Sequence, residues 1–444
     1  MRLHASLVAL IVSACAAVAA AQPPRIANGR ISTQPAGTPM APAFRALVGA
    51  QADAAWIGYS VPAVDGDRVM CCFDSNGGSS FVRGRFASSG RDCCGQCRLE
   101  QGDGGDGSRS PQAASPPATA QPGPIRLEPS GRMTVLFRVQ GRAIDRIRVF
   151  SEDCDLDAGG RAVIWLSGVP AAESVALLES FASSSGERRS HGISDGAVTA
   201  IALHGDRSAD AALDRLVAPG QPETVRRKVT FWLGNARGAH GLATLQRVLR
   251  DDPSVEVRKS AVFGVSQSRE PGAFDVLSGI ARTDPDGQLR SEGIFWLSQQ
   301  GDQRAPAIIL QALEQDASPE VRKKAVFALS QLKGDAGTSA LIGLAKSSAD
   351  PAVRGEAIFW LGQKAGAVAA RAITERIDAD PDTEVKKRAV FALSQMPPAE
   401  GVPLLIDVAR TNATPAVRKQ AMFWLGQSRD PRALAFFEQI LAGK

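Results

Sequence analysis

Six cysteines have types and spacing that could do chemistry: Cys71, Cys72, Cys93, Cys94, Cys97 and Cys154. An even number in an oxidising compartment argues for disulfides. Neighbours such as Cys71 and Cys72 lie about 3.8 Å apart at Cα, too close for a relaxed bridge. The first pair is therefore expected to bridge the later group, with the connectivity left open. The rivals are a thiolate metal site and dithiol redox chemistry at Cys94-x-x-Cys97. The compartment and the CC…CCxxC pattern count against the metal, and no thioredoxin-like βαβ context supports the redox reading. Structural disulfides are the expectation.

Other polar groups promise less. Asp153-x-Asp155-x-Asp157 resembles the start of a calcium loop, but glycine falls at the seventh position and Ile164 at the twelfth. It reads as a solvated acidic turn. His191, His204 and His240 are isolated and read as surface residues. There is no G-x-S-x-G, no phosphate-binding glycine loop and no H-E-x-x-H. The sequence thus points to a non-catalytic protein with no metal and no cofactor.

The aromatic residues are more regular. Phe231, Phe263, Phe295, Phe327, Phe359, Phe391 and Phe423 recur every 32 residues. Four residues after each stands an amide: Asn235, then Gln267, Gln299, Gln331, Gln363, Gln395 and Gln427. Four residues before them lie Arg227, Lys259, Lys323, Lys387 and Lys419. On a helix these share one face. Aromatic anchors beside amides suit an extended peptide or a protein helix, rings giving area and amides bonding the backbone. The opposing expectation is that the rings tuck sideways between helices and only tighten the stack.

The elements that carry this pattern are a seven-fold repeat from about Glu223: VRRKVTFWLG from Val225, VRKSAVFGVSQ from Val257, VRKKAVFALSQ from Val321 and their kin. A fixed period of this length predicts a solenoid of stacked two-helix units, joined at prolines such as Asp252-Pro253 and Ser318-Pro319. With the opening aliphatic as position 0, positions 0, 4, 7 and 8 make the buried stripe. Position 7 alternates Trp232, Trp296, Trp360 and Trp424 with Gly264, Ala328 and Ala392. Large facing small suggests packing beside the core and a 64-residue double repeat. The Arg at position 1 is expected to bond the joint aspartates in a ladder: Asp252 with Arg258, Asp284 with Arg290, Asp350 with Arg354. Glu292 and Glu356 break any continuous basic stripe, which argues against nucleic acid and leaves an anionic ligand open.

The segment resembles the short HEAT repeats, of the type also found in the phycobilin-lyase-related group, over roughly residues 190–444. That resemblance implies an α-solenoid whose second helices line a concave side. It also prompts the alternative function of an enzyme or enzyme accessory handling a small molecule. A lyase of that kind works inside photosynthetic cells, whereas this chain begins like an export signal.

Met1–Ala21 has a basic start, an apolar run and Ala19-x-Ala21, the pattern of a signal peptide. Val12–Cys15 also resembles a lipobox, which would give a lipid anchor at Cys15. Residues 22–50 read as a linker, and 51–168 as a Cys-containing β-rich domain with a disordered loop at 101–124. MTVLFRVQ and RAIDRIRVF flank Gly141 as a hairpin. Residues 169–444 read as the HEAT-like solenoid, capping repeats first; ISDGAVTAIAL (193–203) is the atypical cap. The net charge of +5 in 444 residues demands no nucleic acid, and nothing later could span a membrane. The expectation is a mainly α protein, with a small disulfide-stapled β-rich domain ahead of a HEAT-like α-solenoid. Exported to the periplasm or secreted, it presents the Phe/Gln face to a protein or peptide partner as a scaffold.

Overall fold

The computed structural model describes residues 25–64, 81–82, 85–86, 97–100, 131–183, 188–364 and 366–443. The expected signal peptide with Cys15, the loop 101–124, and Cys71, Cys72, Cys93 and Cys94 lie outside them. Backbone contacts divide the chain into two compact units, Met1–Leu216 and Val217–Lys444.

The first unit begins with β1 (Ile26–Ala27), β2 (Arg30–Pro35), α1 (Met40–Ala50) and β3 (Ala55–Pro62). Short pieces β4 (Phe81–Val82), β5 (Arg85–Phe86) and β6 (Cys97–Arg98) follow. Then come β7 (Arg132–Gln140), β8 (Ala143–Ser151), β9 (Leu156–Asp157), β10 (Ala162–Ser167), α2 (Ala171–Ala182), α3 (Arg188–Leu203) and α4 (Ser208–Leu216). The main sheet runs β2-β10-β3-β7-β8, with β2, β10 and β3 parallel and the rest antiparallel. The expected hairpin is β7–β8. Its loop residues Gly141 and Arg142 have φ of 59° and 65°, the left-handed pair that matches strand twist. Residues 22–50 are not simply a linker. β2 pairs along β10, and α1 buries Met40, Phe44 and Val48. Alanine- and proline-rich composition hides both elements, because the partner strand of β2 lies far along the chain.

Alternation along the strands builds a core on each face of the sheet. Phe44, Tyr59, Phe137 and Phe181 join α1, the sheet and α2 on one side. Trp56, Leu99, Leu136, Phe150, Cys154, Leu156 and Val163 fill the other. Cys154 is engaged in a disulfide. The helices expected as capping repeats pack on this sheet instead, α2 against β3 and α3 against β8. A Cβ on Gly196 would lie 2.3 Å from the Ile147 carbonyl oxygen, so glycine permits the approach of α3. Its phase with the repeat does not make it a repeat unit. His204 is not a surface residue either. Fully buried, it takes the Asp206 N–H at Nδ1 (3.1 Å) and places Nε2 3.3 Å from the Ser174 hydroxyl, which in turn meets Tyr59 Oη at 3.0 Å. Burial pushes the Tyr59 phenol well above its usual range.

The second unit is fourteen helices in alternation. The repeated segments form α5 (Glu223–Ala236), α7 (Val255–Gln267), α9 (Gly287–Gln300), α11 (Pro319–Gln331), α13 (Pro351–Gly362), α15 (Thr383–Gln395) and α17 (Pro415–Gln427). Between and after them lie α6 (Gly238–Asp251), α8 (Ala273–Thr283), α10 (Ala305–Gln315), α12 (Asp335–Ser347), α14 (Ala367–Ala379), α16 (Pro398–Thr411) and α18 (Pro431–Leu441). The odd-numbered helices approach one another more closely than the even-numbered ones do. Val321, Ala325, Ala328 and Leu329 are fully buried, as the helical angle requires, and position 5 (Val262, Ile294, Val326, Ile358, Val390) joins them. A Cβ on Gly234 would lie 1.9 Å from the Gly264 carbonyl oxygen, so only glycine lets α5 and α7 meet there.

The joints differ from the expected pairing. Five of the six position-1 arginines donate to the carbonyl six residues earlier: Arg258 to Asp252, Arg290 to Asp284, Arg322 to Asp316, Arg354 to Ser348 and Arg418 to Asn412, at 2.8–3.0 Å. The carboxylate partner belongs to the next joint, as in Arg226–Asp252 (2.6 Å), Arg290–Asp316 (2.6 Å) and Arg354–Asp380 (2.8 Å). Looser contacts, Arg258–Asp286 (3.5 Å) and Arg322–Asp350 (3.8 Å), alternate with these. Asp252 and Asp350, expected beside Arg258 and Arg354, thus tie one repeat to the one before, and at the Asp284 joint Asp286 takes that role. The Arg290 fork holds Asp316 below its usual carboxylate range. Burial pushes Asp380 up, but hydrogen bonds and charge from Arg354 outweigh it and hold that carboxyl low.

Candidate functional site

The seven phenylalanines stand on the odd-numbered helices. Phe231, Phe263, Phe295, Phe327, Phe359 and Phe391 are half-buried, and Phe423 is exposed. They stack sideways and still present an edge to solvent. Phe231 lies over Phe263 with centroids 5.9 Å apart, Phe295 over Phe327 at 6.0 Å and Phe359 over Phe391 at 6.1 Å. Tryptophans join one pair to the next. Phe263 meets Trp296 at 4.7 Å, Phe327 meets Trp360 at 4.9 Å and Phe391 meets Trp424 at 4.9 Å. Each of these indoles is edge-on to the phenylalanine before it, at 5.0–5.1 Å. Trp232 begins the series beside Phe231 at 5.2 Å. Eleven rings make one unbroken ladder.

The tryptophans are the residues that sequence reasoning assigned too simply. Trp232 is buried, but Trp296, Trp360 and Trp424 are half-buried and reach from the core into the gaps between phenylalanine pairs. Positions 6 and 7 differ by about 100° around the helix, so only the largest side chain spans from one to the other. The alternation of Phe-Trp with Phe-Gly or Phe-Ala was the available signal. Edge and offset-stacked geometries of this kind add about 0.5–1.5 kcal/mol per pair beyond area burial, which makes the ladder a rigid surface.

Beside the rings runs the amide column. Gln267, Gln299, Gln331 and Gln395 donate from Nε2 to the preceding serine hydroxyls at 3.0–3.2 Å. Those serines donate to the carbonyls of Phe263, Phe295, Phe327 and Phe391. The amide nitrogen is thereby fixed on its own helix, while Oε1 has no hydrogen-bond partner among the described residues. Gln363 and Gln427 follow glycine and are exposed, and Asn235 donates to the Phe231 carbonyl. The column offers acceptors of the kind a peptide N–H requires.

On the other border, positions 2 and 3 carry Arg227, Lys228, Lys259, Lys323, Lys324, Lys387, Arg388 and Lys419. Lys259 and Lys387 pair with Glu256 and Glu384 at 3.0 and 2.7 Å. The Lys324 ammonium lies 4.8 Å from the Phe295 ring centre and 5.1 Å from that of Phe327. Glu356 accepts from Trp360 Nε1 at 3.0 Å.

Repeat geometry and sequence now meet in the comparisons with known proteins. The family pattern for HEAT repeats matches residues 209–298, 280–362, 306–386 and 370–444, more than half of the chain. The chain belongs to the HEAT-repeat family. Among solved structures, its HEAT array is similar to YibA of Escherichia coli, with 19% identity over 58% of this chain and 92% of that one, TM-score 0.32. Human deoxyhypusine hydroxylase shares 17% identity over 61% and 97%, TM-score 0.25. The CpcE–CpcF complex of phycocyanin lyase from Nostoc shares 18% over 50% and 87%, TM-score 0.27. A search of the curated proteins gave no match. At these identities the likenesses bring neither chemistry nor partner to this chain.

The remaining sequence candidates do not gather into a site. Asp157 accepts from Asn28 Nδ2 and the Gly159 N–H as part of a surface turn. Among the described residues no group of three or more His, Cys, Asp or Glu is arranged to hold a metal ion, and no helix is long and apolar enough to cross a membrane.

Proposed function

We propose that this HEAT-repeat chain is a non-catalytic scaffold that holds a protein or peptide partner along its Phe/Trp ladder. The observation that carries the reading is the unbroken series of rings, most of them half-buried, with a column of glutamines beside it, four of them fixed by the preceding serine. Stacked repeats present extended surfaces suited to such partners, and regular aromatic anchors beside hydrogen-bonding groups suit main-chain recognition. We place the protein outside the cytoplasm, on the signal-like Met1–Ala21, either free or anchored at Cys15. Disulfides stapling the first unit accord with that compartment and with the disulfide at Cys154.

The test compares partner capture from an extracytoplasmic extract by the wild type and by a Phe295→Ser/Phe327→Ser/Phe359→Ser variant, with thermal melts of both. Loss of a wild-type partner with the fold retained is expected. Equal capture by the folded variant would remove the ladder as the binding surface.

A further inference from the structure

The cationic border includes a cleft. It has a volume of about 250 Å³ and opens between the N-terminal halves of α11 and α13, lined by Arg322, Lys323, Val326, Val353, Glu356 and Arg388 among others. Position 2 of α13 is Gly355, where the neighbouring copies carry Lys323 and Lys387. A Cβ on Gly355 would lie 2.7 Å from Cδ of Arg388, so the Arg388 side chain crosses that spot from α15. The charges lining the cleft are not equivalent. Arg322 is committed to the carbonyl of Asp316 and faces Asp350, Asp350 caps α13 by accepting from the Ala352 N–H, and Glu356 holds the Trp360 indole. Lys323 and Arg388 are exposed and have no ion-pair partner among the described residues. Two uncommitted cations therefore border a cleft whose carboxylates are both occupied, with Val326 and Val353 beneath.

We infer that the ladder's occupant is an acidic, extended peptide segment, with one of its carboxylates seated in this cleft between Lys323 and Arg388. The inference rests on the proposed scaffold reading and narrows it to a partner chemistry. Arg227 and Lys419, also exposed and without an ion-pair partner, extend the same border in both directions. Acidic side chains every few residues would meet that border, while apolar ones lie on the rings and backbone N–H groups reach the glutamine Oε1 atoms. The path from Phe231 to Phe423 through successive ring centres is about 48 Å, a ceiling that an extended chain covers in about 14 residues at roughly 3.3 Å each.

The test uses the full chain and three labelled peptides of about 15 residues, built from Glu-Leu-Ser, Gln-Leu-Ser or Lys-Leu-Ser triplets. Affinity is read by fluorescence anisotropy. The Glu peptide is expected to bind best, to lose about tenfold or more in Lys323→Gln/Arg388→Gln, and to keep its affinity in Lys346→Gln on α12. If the Gln or Lys peptide binds as tightly as the Glu peptide, and binding depends on Phe327, the acidic assignment falls and the ladder reading stands. Unchanged Glu-peptide binding in the double variant overturns the cleft. No binding by any of the three overturns both readings. Displacement of the Glu peptide by a single-stranded oligonucleotide or sulfated oligosaccharide at lower concentration than by the unlabelled peptide itself overturns the assignment to a peptide.

Discussion

Removing the carboxylate of Asp380 should cost far more than removing that of Asp350, although both face a position-1 arginine. Arg354 donates from Nε and Nη2 to both Asp380 oxygens at 2.8 and 2.9 Å, while its Nη1 bonds the carbonyls of Ser348 and Ala349. Asp380 also accepts the Asp382 N–H at 2.9 Å. The two side chains are 9% and 1% exposed. In Asp380→Ala the guanidinium stays buried with its fork unpaired, a loss of about 3–5 kcal/mol for a broken buried pair. Arg322 and Asp350 are 3.8 Å apart and 27% and 41% exposed, so breaking that pair should cost below about 1 kcal/mol. Urea unfolding followed by tryptophan fluorescence, in a background with Trp56 and Trp165 of the first unit replaced by phenylalanine, reads the difference, since Trp232, Trp296, Trp360 and Trp424 report the second unit. With a slope of roughly 3 kcal/mol per molar, the Asp380→Ala midpoint should fall by about 1 M or more, and the midpoint of Asp350→Asn, whose side chain can still cap α13 at the Ala352 N–H, by about 0.3 M or less. Equal shifts would refute the claim that alternate joints are the ones that lock the stack.

Position 9 gives a second contrast. Gly234→Ala forces a methyl against the Gly264 carbonyl and should destabilise by about 2 kcal/mol or more, whereas Gly426→Ala, open to space, should gain up to about 1 kcal/mol from helix propensity; thermal melts decide. Asp316 and Asp380 have carboxyls lowered in the folded chain, so their contribution is present above the unfolded value of about 3.9 and is lost as pH falls through the lowered one. Melting temperature should therefore drop steeply below about pH 4, less so in Asp316→Asn/Asp380→Asn, whose baseline is already reduced. Ser174→Ala removes the buried hydroxyl that meets Tyr59 Oη and His204 Nε2 in the first unit's core and should cost about 1–3 kcal/mol, checked by denaturant unfolding.

The repeat was legible because one helix face returns seven times without insertion, and Phe231 to Phe423 fall on it by angle alone. What the sequence hid has physical causes. Trp296 and Trp360 were read as core because position 7 borders the buried stripe, and the stripe's edge is where a large ring can do both jobs. Arg354 had Asp350 close in sequence and Asp380 across the next repeat; helix stacking, which no local pattern encodes, chose the second. Helix α1 carries only Met40, Phe44 and Val48 amid alanine and proline, and β2 finds its partner only once β10 has formed. His204 became a core residue because α3 packs on the sheet.

The most direct measurement places a photo-crosslinking residue at Gln331 or Gln363 on the ladder side, and at Lys346 on α12, then irradiates each in an extracytoplasmic extract. A partner adduct from Gln331 and Gln363 that vanishes when Phe295, Phe327 and Phe359 become serine is the predicted result. An adduct formed as well or better from Lys346 would contradict the assignment of the odd-numbered helices as the binding face.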